Sequence, residues 1–152
     1  MDSRIIYSGL ALFVTAYAQT TPLFFVFGVK ANVVLVLAVL SAFSVRTLYA
    51  SVFFVVCATL GLMSGAGFIQ SILFFSLVFA TVQVVRRAVP WQPFLSACVL
   101  VLFFSCLTYA SLDGGVIIRS APQFAREALY NLITLAIIYA FLPHYHAQQG
   151  RY

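Results

Sequence analysis

The sequence predicts an all-α integral membrane protein, a compact bundle of about six transmembrane helices making a single transmembrane domain over residues 1–152. Three observations lead there. Of the 152 residues, 64% are hydrophobic and 7% charged, against roughly 45–50% and 25% in a soluble domain. The mean hydropathy is +1.09. The apolar residues also gather into runs of 15 to 20 residues, close to the ~20 that one bilayer crossing requires.

The first run extends from Ile5 to about Thr20 and is interrupted at Thr21-Pro22, since proline lacks the donor that would continue a helix. Leu23 to Val29 is a short apolar stretch that ends at Lys30. The later runs are Ala31 to Val45, Thr47 to Met63, Phe68 to Val85, Pro93 to Leu112 and Gln123 to Leu142. Ala31 to Val45 is short for a full span, so it is either tilted into the bundle or continued by Leu23 to Val29 as a broken element. Turns fall at Ser64-Gly65-Ala66-Gly67, at Arg86-Arg87-Ala88-Val89-Pro90-Trp91 and at Asp113-Gly114-Gly115. Ser120-Ala121-Pro122-Gln123 fits a capping box and starts the last helix near Ala121. Gly61 and Gly65 have GxxxG spacing, read here as a tight connection between the third and fourth helices.

The formal charge of +5 comes from eight basic residues scattered between apolar runs, which is not the basic face that nucleic acid demands. They read instead as topology determinants, above all Arg46, Arg86 and Arg87. With six crossings both termini share a side, and that side holds Arg4, Arg46, Arg86, Arg87 and Arg151 against Lys30, Arg119 and Arg126 on the other. The positive-inside rule then makes both termini cytoplasmic. A second reading of the N-terminus is a signal peptide, with Arg4 ahead of a short apolar region and Ala16-Tyr17-Ala18 as a small-residue cleavage pattern.

Catalysis and cofactor chemistry find little to work with. No Asp, Glu, Lys, Arg or His stands in the middle of a run, whereas proton relays and ion paths require ionisable groups at membrane depth. Cys57, Cys98 and Cys106 have no ligating neighbour and read as packing residues. His144 and His146 form an isolated pair in the exit from the last helix. No catalytic residue, cofactor or metal site is expected. Ser96, Ala97, Ser105 and Thr108 suit a closely packed inward face on the fifth helix. Glu127, Tyr130, Asn131 and Thr134 recur at three, four and seven residues, so they share one helix face. Such groups prefer protein to lipid, which makes this stripe the candidate partner-binding face, its partner being a helix of another chain or of the bundle itself.

Two segments resemble the MreD family of bacterial rod-shape-determining membrane proteins. Pro22 with Lys30-Ala31-Asn32-Val33-Val34-Leu35 is similar to the approach to that family's second helix. Glu127-Ala128-Leu129-Tyr130-Asn131-Leu132-Ile133, followed by an apolar run and Pro143, is similar to its last helix. The chain departs from the family at Ala31, where a proline is usual, and over Val55 to Gly65, where Ala58 and Thr59 stand without the family's acidic residue. The resemblance implies a non-enzymatic scaffold of cell-shape and peptidoglycan-synthesis machinery in the bacterial inner membrane, surrounded by membrane lipids and contacting an MreC-like protein. The architecture is similar as well to the substrate-binding S-components of energy-coupling-factor transporters. That implies the rival function, a subunit binding a small vitamin-type molecule.

The charge distribution makes a direct prediction about sidedness. A cysteine placed at Ala88 should stay unlabelled by membrane-impermeant thiol reagents in intact cells; strong labelling would invert the topology.

Overall fold

The computed structural model describes residues 3–21, 25–26, 29–30, 32–44, 47–62, 68–88, 92–112 and 121–141. Six helices make up this part: α1 (Ser3–Gln19), α2 (Val33–Ser44), α3 (Leu48–Gly61), α4 (Phe68–Ala88), α5 (Pro93–Leu112) and α6 (Ala121–Phe141). Between α1 and α2 lies a two-residue antiparallel pairing of β1 (Phe25–Val26) with β2 (Val29–Lys30), in which Phe25 faces Lys30 and Val26 faces Val29.

The expectation of about six spanning helices needs correction. Among the described residues three helical segments, Ile69–Ala88, Pro93–Ala110 and Ala121–Phe141, are long and apolar enough to cross a bilayer. The other three helices have 17, 12 and 14 residues. The reasons are local. Phe25–Val26 and Val29–Lys30 pair as antiparallel strands, so these residues do not continue α2 as a broken helix. The bounds of α3 are fixed by Thr47, whose backbone is extended, and by Leu62, where the chain leaves the helix. Ala121 does begin α6, while the capping residue Ser120, the turn glycine Gly65 and Pro22 lie outside the described residues.

The short helix α2 is the hub. It packs against α1, α3, α4, α5 and α6, and eight of its twelve residues are buried, among them Leu35, Val36, Ala38 and Val39. A helix apolar on all sides belongs at the centre of a bundle. Around it Phe54 of α3 stacks on Phe79 of α4 with centroids 6.1 Å apart, and Phe74 of α4 meets Phe104 of α5 edge-on at 5.8 Å. Both geometries suit the charge distribution of aromatic rings.

Helices α1 and α3 run side by side in the same direction. Gly9 lies under the Phe53 ring, and about two turns further on Gly61 lies against Ala16 and the Phe13 carbonyl. Small residues allow this approach, which matters in lipid because close packing replaces the water-exclusion force between helices. Gly61 therefore serves the contact with α1 besides ending α3. Ala16, part of the Ala16-Tyr17-Ala18 pattern, is fully buried in that contact within α1.

Adding a side chain at Gly61 should drive α1 and α3 apart. A Cβ there would fall 2.7 Å from the Phe13 carbonyl oxygen and closer still to the Ala16 Cβ. Gly61→Val should cost about 1–3 kcal/mol of stability, while Leu60→Ala on the exposed side of the same helix should stay within about 0.5 kcal/mol. Thermal unfolding of both variants in detergent micelles checks the difference.

Candidate functional site

Several polar side chains of the bundle collect at the two ends of α2. A helix leaves its first N–H groups and last C=O groups without internal partners, and in a bilayer each unsatisfied group costs several kcal/mol. At the N-terminal end Asn32 acts as cap: its Oδ1 accepts from the Leu35 N–H at 3.1 Å, the usual reach of a capping asparagine. The Val34 N–H donates to Gln19 Oε1 at 2.9 Å, and Gln19 Nε2 donates to Asn32 Oδ1 at 3.3 Å. Gln19 is the last residue of α1, so it ties that helix to the start of α2.

Asn131 completes the cluster from α6. Its Oδ1 accepts from the Asn32 N–H at 2.7 Å, and its Nδ2 donates to Ser105 Oγ of α5 at 3.1 Å. Asn131 is fully buried. One turn away along α6, Glu127 accepts from the Tyr109 hydroxyl at 2.5 Å, and Phe124 packs edge-on against the Tyr109 ring. Two hydrogen-bonded rungs, Ser105–Asn131 and Tyr109–Glu127, thus join α5 to α6.

The C-terminal end of α2 is closed from α4. Gln83 Nε2 donates to the Ala42 carbonyl at 3.1 Å, and Arg86 Nη1 donates to the Phe43 carbonyl at 3.0 Å. A guanidinium also suits the negative end of the helix dipole. Ser44 adds a bond from its hydroxyl to the Leu40 carbonyl at 3.2 Å.

The stripe expected on α6 is thus placed residue by residue. Asn131 and Glu127 bond to other helices of the chain, and Tyr130 and Thr134 are half-buried beside them. Of the topology arginines, Arg86 is half-buried on the end of α2, Arg87 is exposed and Arg46 lies outside the described residues. On α5, Ser96, Ala97 and Ser105 are buried and Thr108 is half-buried. Cys57 and Cys98 are half-buried and Cys106 is exposed, all as free thiols. His144 and His146 lie outside the described residues.

Sequence reasoning missed Gln19, Gln83 and Tyr109, and it used Asn32 only as part of a resemblance. Asn32 had a readable signal, an asparagine directly ahead of an apolar run. Gln83 and Arg86, three apart, occupy one helix face and were readable as a pair. Nothing local marks Gln19 or Tyr109.

Among the described residues, every buried side-chain nitrogen and oxygen has a hydrogen-bond partner. The chemistry of the cluster is accordingly that of a clamp: side-chain amides and one guanidinium hold the ends of α2, and hydroxyls link α5 to α6. No protein-family model matches the chain, and no curated protein or solved structure matches it either.

Asn131→Leu removes the acceptor of the Asn32 N–H and the donor to Ser105 in one step. It should destabilise the bundle by about 1–3 kcal/mol, the usual cost of orphaning buried polar groups. Thr134→Ala, one turn along the same face, should change stability by less than about 0.5 kcal/mol. Chemical unfolding of the two purified variants distinguishes the roles.

Proposed function

We propose that this protein is a non-enzymatic scaffold of bacterial cell-elongation machinery, an MreD-like multi-pass protein of the inner membrane. The observation that carries the reading is the use of the interior polar groups. Gln19, Asn32, Ser105 and Asn131 serve one end of α2, and Gln83 and Arg86 the other. A pocket for a small ligand depends on convergent polar groups kept available for it. A scaffold, by contrast, needs a rigid frame and a lateral surface.

In this reading the partner, an MreC-like spanning protein, meets α6 beside the stripe of Glu127, Tyr130, Asn131 and Thr134. Asn131 and Glu127 hold the face in position through their bonds to α2 and α5. Tyr130 and Thr134 stand at its edge, only half-covered by the chain itself. Interhelical bonds and close packing are the forces available for such an association.

Deleting the chain in its host should convert rod-shaped cells to rounded ones, and the Tyr130→Ala, Thr134→Ala double variant should fail to pull down the MreC-like partner while keeping its thermal stability. Cells that keep their shape but lose uptake of a vitamin-type compound, with co-purification of a transporter ATPase, would replace this reading by that of a substrate-binding subunit.

A further inference from the structure

Helix α6 carries near its start a pair of opposite charges that the chain does not use against each other. Arg126 and Glu127 are neighbours in its second turn, and successive residues of a helix diverge by about 100°. Arg126 is exposed, and Glu127 is half-buried against α5, where the Tyr109 hydroxyl donates to its Oε2. Among the described residues nothing bonds to the other carboxylate oxygen or to the guanidinium, and the two side chains form no ion pair.

The surroundings of this pair suit a lipid. Gln123, also exposed, stands three and four residues earlier, on the same flank as Arg126 and Glu127. The Tyr109 and Phe124 rings, 5.2 Å apart, lie beside the carboxylate on the α5 side. Leu129, Ile133 and Ile137 follow at one-turn intervals, exposed and apolar, an outer ridge along which acyl chains can lie. Charges on a spanning helix are costly within hydrocarbon and stable at its border, and the border is where headgroups are.

We infer that the second turn of α6 is a binding site for a zwitterionic lipid headgroup with a free ammonium, that of phosphatidylethanolamine. Arg126 and Gln123 hold the phosphate, and Glu127 takes the ammonium. The site goes beyond the scaffold role and rests on α6 crossing the bilayer. Charge complementarity chooses the occupant. Phosphatidylglycerol offers a phosphate to the guanidinium but no cation to Glu127. Phosphatidylcholine offers a cation without N–H donors, whereas a primary ammonium has three, and hydrogen bonds between charged groups are the strong ones. Tyr109 is a positioning residue: by occupying Oε2 it leaves Oε1 for the ammonium. Aromatic rings beside that cation add attraction.

The test titrates the intact chain in detergent micelles with phosphatidylethanolamine, its mono- and dimethylated forms and phosphatidylcholine, all with the same acyl chains. Bound lipid is read by native mass spectrometry. Affinity should fall by at least about threefold from the ammonium to the trimethylammonium end, the worth of a half-exposed charged contact. Glu127→Gln, whose side-chain carbonyl still accepts from Tyr109, should level the series. Arg126→Gln, at an exposed position where folding is not at stake, should weaken all members of the series together. A level series in the natural chain, or a slope that survives Glu127→Gln, overturns the headgroup site and leaves the spanning and scaffold readings standing. Phosphatidylglycerol bound as tightly as phosphatidylethanolamine, and lost in Arg126→Gln, also overturns it, because the arginine alone then holds the lipid. A level series together with a dimer that Arg126→Gln abolishes would put a second copy of the chain on this face instead.

Discussion

The structure depends on one constraint: a twelve-residue helix at the centre of the bundle must find partners for the backbone groups at both of its ends. Water is the usual partner of free N–H and C=O groups at helix ends, and hydrocarbon offers none. Helix α2 resolves this by recruiting side chains from four directions. Its own cap Asn32, Gln19 of α1 and Asn131 of α6 close the first turn, and Gln83 and Arg86 of α4 close the last. Remove α2 and the other helices lose their common neighbour, since it touches each of them.

The clamps also explain why so apolar a chain keeps polar residues at these particular positions. Asn131 does two things with one amide, accepting from α2 and donating to α5. That geometry fixes the rotation of α6, and Glu127 and Tyr109 one turn along repeat the link. At the ends of α2 neutral amides otherwise suffice, which avoids the desolvation cost of burying charges. Arg86 is the exception, and it stands near the end of α4 where its long side chain reaches a carbonyl while lying close to the polar rim.

Packing between the outer helices follows a second rule, closeness at small residues. Gly9 and Gly61 let α1 and α3 approach along their length, and the aromatic pairs Phe54–Phe79 and Phe74–Phe104 fill the wider gaps around α4. Scaffold and small-molecule binder both need such a frame; they differ in what the polar interior is kept for. Here Gln19, Asn32, Asn131, Gln83 and Arg86 are committed to the ends of α2, and the proposed role in assembly rests on that use.

Much of the architecture was legible in the sequence. The ends of α4, α5 and α6 fall within a few residues of where apolar runs meet arginines, proline and glycine, because those boundaries are set by local backbone preference and by the cost of charge in hydrocarbon. The shared face of Glu127 and Asn131 followed from helical periodicity. What these residues bind did not, and neither did the pairing of Phe25–Val26 with Val29–Lys30 or the contact that Gly61 makes with Ala16. The bond from the Asn32 N–H to Asn131 joins residues 99 apart in the chain. An amide satisfies its donors with whatever group lies within about 3 Å, and only the packing of distant helices decides which group that is.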